Sequence, residues 1–381
     1  MEAAVTSNVV SSEFQQGAIA NSADATIVIP PKVLASLQRG GLYELGESYM
    51  RGEWEVADLV QLMRHVFTQS PLIPVKHSKL GARFIRFLIT DRLRNPQINQ
   101  GAFDVARGHY DLGNDLFSAM LDRETITYTC GYWRNAKTLE QAQVAKIDLL
   151  CRKLHLRPGM RVLDIGCGWG NFAHYAAKNY GVKVVGLTVS KEQAALARQR
   201  CVDLDVEILL QDYRTFSGEF DRVVSIEMIE AVGRKNMAGF FDMAHRCLAQ
   251  GGLFALQAIS AETFSWSSSV TLDQYVLWLQ KRIFPNGYLP NIRHLTKPSV
   301  SGLVIEDLHN FSYDYALTLK EWYERFESAW PQLAPAYGEP FRRMWRYYLQ
   351  GCEALFRERM VQLYQIVYSK GGEPGGYVAA R

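Results

Sequence analysis

The chain has 381 residues, 48% of them apolar and 21% charged, with a net charge of +3. That composition is ordinary for a globular protein of two domains, or of one large domain with insertions, and so small a charge excludes nucleic acid as an expected partner. The cysteines, at 130, 151, 167, 201, 247 and 352, include no C-x-x-C pair, so neither a zinc centre nor a disulfide framework is expected and no metal ligands are assigned.

MEAAVTSNVVSSEF lacks the uninterrupted apolar core of a signal peptide. No window approaches about 18 consecutive apolar residues, so no transmembrane helix is expected and any membrane contact is at the surface. Residues 1–25 read as a mobile or loosely packed arm. Residues 26–105 read as a small helical domain, marked by PPKVLASLQRG, LGESYMRGEWEV and VADLVQLMRHVF. Its most basic stretch is KHSKLGARFIRFLITDRLR, 76–94, where Lys76, Lys79, Arg83 and Arg86 share one helical face. Such a helix either lies in an anionic bilayer surface or presents the solvated face of a core helix, and the sequence alone favours the solvated face.

From residue 140 the pattern is α/β. Strands are predicted over 161–165, 182–189, 206–212, 221–227 and 253–259, with a helix ahead of them in LEQAQVAKIDLLCRKLHL and others near 171–179, 190–201 and 236–248. Strands alternating with helices across short loops predict a parallel sheet covered on both faces. Residues 260–300 read as a polar insertion containing Pro and Gly. In the aromatic-rich stretch 301–368, LVIEDLHNF is a predicted strand, and TLKEWYERFESAW and FRRMWRYYLQGCEALFRERM are predicted helices.

The segment RVLDIGCGWG, 161–170, says what the chain binds. A strand runs into Gly166, Gly168 and Gly170, Asp164 stands just ahead of them, and a helix follows. This is the strand, turn and helix of a doubly wound nucleotide site, but its spacing is G-x-G-x-G rather than the dinucleotide fingerprint. With the preceding acid it is the pattern of S-adenosylmethionine (SAM) methyltransferases; a glycine turn without a ligand is the plainer alternative. Backbone N–H groups at such a turn suit the SAM carboxylate, and Asp164 suits its ammonium. No acid stands at the tip of the second strand, which leaves Gln193 or Glu192, beside Thr188, or water for the ribose hydroxyls. Asp212 and Tyr213 suit the adenine amino group and ring face.

Ahead of the sheet stands GHYDLGNDLFSAMLDRETITYTCGYW, 108–133. Together with ESYMRGEWE, LTVSKEQ, LLQDYR, EMIEAVG, IFPNGYLP and EDLHNFSYDYALTL, in that order, it makes the chain from residue 30 on resemble the cyclopropane fatty acid synthase family, which includes the mycolic acid cyclopropane synthases. The resemblance implies a doubly wound, Rossmann-like class I SAM methyltransferase fold of the α/β class, with the small helical N-terminal domain contacting lipid and the catalytic domain over 106–381. It also implies transfer of a SAM-derived methylene to the cis double bond of an unsaturated phospholipid acyl chain, through a carbocation deprotonated by bound bicarbonate. Its bicarbonate pocket maps onto Cys130, Glu230, the backbone of Ile259, and Tyr315. Gln257 stands where many relatives carry histidine, so it can hydrogen-bond but not titrate; a methyl- or methylene-branched chain, or an N-methylated amine, is then the alternative product. Tyr128 and Thr129 join the SAM residues. Cys352 matches a cysteine once regarded as a nucleophile, although methyl transfer to an alkene needs no covalent enzyme intermediate. Tyr128, Tyr132, Trp133, Tyr275, Trp278, Phe284 and Tyr288 either shape an acyl tunnel or pack the core. The expected setting is cytoplasmic and peripheral on the inner face of the membrane, with a homodimer left open.

Overall fold

The computed structural model describes residues 18–19, 27–69, 113–261, 266–296 and 302–381. Of the arm assigned to 1–25, only Ala18–Ile19 is described, paired antiparallel with Ile27–Val28; the basic stretch 76–94 lies outside the described residues.

Helices α1 (Pro31–Met50) and α2 (Leu59–Gln69) precede α3 (Asn114–Met120) and α4 (Leu139–Lys153). Then come β1 (Arg161–Ile165), α5 (Asn171–Tyr180), β2 (Lys183–Thr188), α6 (Lys191–Arg200), β3 (Val206–Leu210), β4 (Phe220–Ile226), α7 (Met237–Cys247) and β5 (Leu248–Ala261). Helices α8 (Trp266–Arg282) and α9 (Ile292–Thr296) lead to β6 (Leu303–Asn310), to the long helix α10 (Tyr313–Arg357), which is interrupted at Gly338, and to β7 (Val361–Lys370). Contacts group these elements into two units. One holds the described residues of Met1–Leu93, Thr263–Ile283 and Trp330–Met360; the other holds those of Arg94–Glu262, Phe284–Ala329 and Val361–Arg381. The grouping is discontinuous where chain order suggests a single break near residue 105.

The second unit carries a seven-stranded sheet in the order β3-β2-β1-β4-β5-β7-β6. Strands β1 to β5 are parallel, and β7 runs antiparallel to both β5 and β6. The inner parallel strands are largely apolar on both faces, as crossover helices demand. Val162, Val184 and Val224 pack with Phe172 and Ala173 of α5 on one side; Leu163, Ile165, Val223 and Leu256 pack with Phe240 and Phe241 of α7 on the other. Each fully buried side chain of this size contributes about 1.5–3 kcal/mol of transfer free energy, so the sheet is a firm base for the loops at its carboxyl edge. Thr138 caps α4 and Ser190 caps α6 through their hydroxyls, which fixes where each helix begins.

Two elements depart from the predicted pattern. The stretch 260–300, expected only as a polar insertion, carries a helix, α8. Its Tyr275 and Trp278 are fully buried, Trp278 meeting Tyr347 edge-on at 4.7 Å within the first unit. Strand β7, unpredicted, is held by nine paired positions against β5, from Leu253–Ser369 to Ala261–Val361. Its buried glutamines break the apolar run that marks the other inner strands.

Candidate active site

At the carboxyl end of β1 the chain turns through Gly166, Gly168 and Gly170 with φ of 83°, 54° and 77°. These are left-handed conformations that side chains resist. A Cβ on Gly166 would stand 2.5 Å from Met228 Cγ, whereas one on Gly168 would meet nothing within 4 Å. The Gly166 and Cys167 N–H groups are spent on Leu187 O, so the open approach to the turn lies at Gly168. Asp164, buried on β1, has an Oδ2 with no hydrogen-bond partner among the described residues. Burial pushes its carboxyl up to about 7, against the opposing pull of the Lys146 ammonium. An acceptor left unpaired in this way fits an incoming ammonium, and the open space at Gly168 fits a carboxylate, so this end of β1 suits the amino acid moiety of SAM.

Thr188 Oγ1 donates to Gln193 Oε1 at 3.0 Å, and Gln193 N donates to the Ser190 hydroxyl. Both are therefore locked at the β2–α6 junction, where ribose hydroxyls are expected. Asp212 caps the turn Tyr213–Thr215, accepting from Arg214 N at 2.9 Å, and also pairs with the Arg214 guanidinium. Despite desolvation, the Arg214 hydrogen bonds hold its carboxyl below the ordinary range. Its charge is already answered, which leaves Tyr213, packed against Phe240, as the freer of the two toward an adenine.

A second cluster adjoins β4 and β5. The segment 129–133 is clamped between α4 and the start of α10. Gln143 Nε2 and Lys146 Nζ donate to the Thr129 carbonyl and hydroxyl at 2.7 and 2.8 Å. Gly131 N and Trp133 Nε1 donate to Thr318 Oγ1 at 3.1 and 2.9 Å, and Trp133 N to Asp314 Oδ2 at 2.6 Å. The clamp aims the Cys130 N–H at Glu227 Oε1, 3.0 Å away. Gln257 Nε2 donates to the same oxygen at 2.6 Å, and the Tyr315 hydroxyl donates to Glu227 Oε2 at 2.7 Å. Gln257 is fixed in turn by Gln365 of β7, which donates to its Oε1 at 2.8 Å. Glu227 has φ of +49°, a conformation costing about 1 kcal/mol or more for a side-chain-bearing residue. That strain sits where three donors converge, as expected of a site held in place by its surroundings.

Glu230, one 3-10 turn further on, accepts from Ile259 N at 2.6 Å through Oε1, and its buried Oε2 has no partner among the described residues. Desolvation, and then the Glu227 charge, pushes its carboxyl up to about 8. Desolvation also raises Glu227, while Tyr315, Gln257, Cys130 N–H and the Lys146 charge pull it back. Burial therefore raises both carboxyls, but Glu227 meets three hydrogen-bond donors and Glu230 one. Desolvation lowers Lys146 to about 8, against the attraction of Glu227.

Cys130, Gln257, Ile259, Tyr315 and Glu230 therefore come together, but around Glu227, which the sequence reasoning passed over. EMIEAVG offers acids at both 227 and 230, and spacing alone does not say which one meets the donors. Lys146 was also missed, although a lysine among Ala142, Gln143, Ile147 and Leu150, all buried on α4, was a readable signal. Tyr128 packs between Phe117 and Trp322 at ring separations of 5.1 and 4.9 Å. Cys352 belongs to the other unit, its thiol beside the Tyr275 hydroxyl at 3.9 Å and pushed up to about 12 by desolvation; so high a value suits packing better than nucleophilic attack.

A 3-2-1-4-5-7-6 sheet, with a G-x-G-x-G turn after its first strand and an acid ahead of it, defines the fold of a class I SAM-dependent methyltransferase. Residues 98–366 match the family described as mycolic acid cyclopropane synthetase. The chain is 46% identical over 357 residues to the cyclopropane-fatty-acyl-phospholipid synthase of Escherichia coli, covering 94% of this chain and 90% of that one. It is 36% identical to the tuberculostearic acid methyltransferase UfaA1 of Mycobacterium tuberculosis, over 94% and 86% of the two chains. Among solved structures, the mycolic acid cyclopropane synthase CmaA1 complexed with SAH and CTAB superposes with a TM-score of 0.67 at 34% identity, over 70% of this chain and 98% of that one. The chain belongs to the mycolic acid cyclopropane synthetase family.

Proposed function

We propose that this chain transfers a methylene from SAM to the cis double bond of an unsaturated phospholipid acyl chain, giving a cyclopropane fatty acid. The observation that carries the reading is the 46% identity to the E. coli synthase over nearly the whole of both chains. Bound at the glycine turn, SAM supplies an electrophilic methyl group. Asp164 holds its ammonium, the Gly168 edge of the turn takes its carboxylate, and Thr188, Gln193, Asp212 and Tyr213 frame the nucleoside, with Tyr128 and Thr129 alongside. An alkene is a poor nucleophile, so the residues around Glu227 must hold it against the methyl with water excluded.

The resemblance implies a bound bicarbonate as the base. That ion does not fit here. The Cys130 N–H, Gln257 and Tyr315 donate to Glu227 instead, and Ile259 N–H donates to Glu230. No step is routed through it.

No described helix is long and apolar enough to cross a membrane. We propose that the enzyme works peripherally on the cytoplasmic face of a bilayer, with lipid contact through the N-terminal region 26–105. Incubation with SAM and vesicles of defined unsaturated phospholipid tests the function. Acyl chains should gain one CH2, with the upfield cyclopropane protons in the NMR spectrum. A branched-methyl signal would move the protein to the fatty acid methyltransferases, and no gain on any lipid would remove the reading.

A further inference from the structure

A base must take one proton from the newly attached methyl group, and the residues that would hold a diffusible anion for that purpose already hold a side chain. Glu227 presents two carboxylate oxygens to three donors. Oε1 accepts from Gln257 Nε2 and Cys130 N, and Oε2 accepts from the Tyr315 hydroxyl. A bicarbonate ion offers the same planar pair of oxygens to the same kind of donors. Gln257 cannot itself accept a proton. Glu227 keeps some exposure as a residue, unlike the buried Gln257, Cys130 and Tyr315 around it.

We infer that Glu227 is the proton acceptor of the reaction and that this chain works without bound bicarbonate. The inference rests on the cyclopropanation reading. The alkene π pair forms the new bond to the methyl carbon, while the S–CH3 pair stays on sulfur and leaves S-adenosylhomocysteine (SAH). The other alkene carbon is then cationic. A C–H pair of the transferred methyl closes onto it, and the released proton goes to a Glu227 oxygen, leaving a carboxylic acid that returns its proton to solvent as product departs. Glu227 also places a fixed negative charge beside the cation while it lasts, an electrostatic gain that needs no reorganisation at the moment of reaction. The Lys146 ammonium, hydrogen-bonded to Thr129, answers that charge from the far side of the clamp.

Turnover on unsaturated-phospholipid vesicles, measured in buffer sparged free of CO2 and again with millimolar bicarbonate, tests the assignment. The wild-type chain should run at the same rate in both. Glu227→Gln should lose on the order of 10²- to 10⁴-fold in kcat, the usual worth of a positioned general base, with SAH affinity unchanged. Glu227→Gly, which opens the donor ring, should be as slow in sparged buffer and regain activity when bicarbonate is added. In ¹³C NMR, labelled bicarbonate should show a bound resonance with Glu227→Gly and none with the wild type. A wild type that slows on sparging and recovers with bicarbonate overturns the inference, as does Glu227→Gln at the wild-type rate. These wild-type arms decide the matter even if a variant fails to fold. If no arm yields product, the activity reading is what falls, and a bound ¹³C resonance in the wild type would still overturn this one.

Discussion

The glycine turn makes a prediction that separates folding from ligand binding. At Gly166 an added Cβ would fall 2.5 Å from Met228 Cγ and 2.8 Å from Met228 Cβ, at φ of +83°. The backbone conformation alone costs an alanine about 1–2 kcal/mol. Displacing Met228 near its root adds overpacking strain of about 1–3 kcal/mol. At Gly168 φ is +54° but the added Cβ meets nothing within 4 Å, so only the conformational cost of about 1–2 kcal/mol remains. Gly166→Ala should therefore lose about 2–5 kcal/mol of stability, and Gly168→Ala much less. Ligand affinity should rank the other way. The Gly168 methyl would occupy the space assigned to the SAM carboxylate, and loss of charge-assisted hydrogen bonds there costs about 1.5–3 kcal/mol, some ten- to hundredfold in Kd. Denaturant melts and SAH titration calorimetry on the two variants give the comparison. Wild-type SAH affinity in Gly168→Ala would refute the placement of the ligand at the turn.

Other outcomes follow from the second cluster. The Glu230 carboxyl, at about 8, keeps a proton that the unfolded chain releases near its model value of 4.5. Its contribution to stability is therefore complete below pH 4.5 and is lost as pH climbs to about 8. Glu230→Gln should flatten that decline in melts run from pH 5 to 8, and an unchanged slope would assign the pH dependence elsewhere. Thr318→Val would strip the acceptor from Gly131 N and Trp133 Nε1, costing about 1–3 kcal/mol for each buried donor left unpaired; a Tm equal to wild type would show that the clamp is not anchored there. Reversing Lys79 and Arg83 to Glu should weaken binding to anionic vesicles in a sedimentation assay, with the difference fading at high salt; equal binding would leave those residues as a solvated face.

How much of this was readable in advance differs by element. The parallel strands β1 to β5 were legible because each contains a short apolar run set off by turns, and helices buried on one side separate most of them. Strand β7 was not, because Gln362 and Gln365 are buried in it, and burial of polar groups depends on partners that sequence order does not reveal. Helix α8 hid for a related reason: its buried aromatics Tyr275 and Trp278 are set among Gln, Asp and Lys, so the segment reads as polar when averaged. At the site, the residue types around the carboxylate were legible as a set. Its centre was not, since the choice between Glu227 and Glu230 is made by a left-handed backbone and a single tight turn. Asp212 was legible as an acid at a strand tip, but not as the partner of its own neighbour Arg214.

The threading of the sheet also has a consequence for biosynthesis. Val361–Lys370 slots between β5 and β6, both made earlier. Until that strand has left the ribosome, the edges of β5 and β6 that it will cover stay unpaired, and such exposed edges invite association with other chains. Gln365, which steadies Gln257, arrives on this same strand. A nascent polypeptide halted before residue 361 should therefore be both sticky and inert, and chaperone dependence during translation should peak in that interval and end once β7 docks.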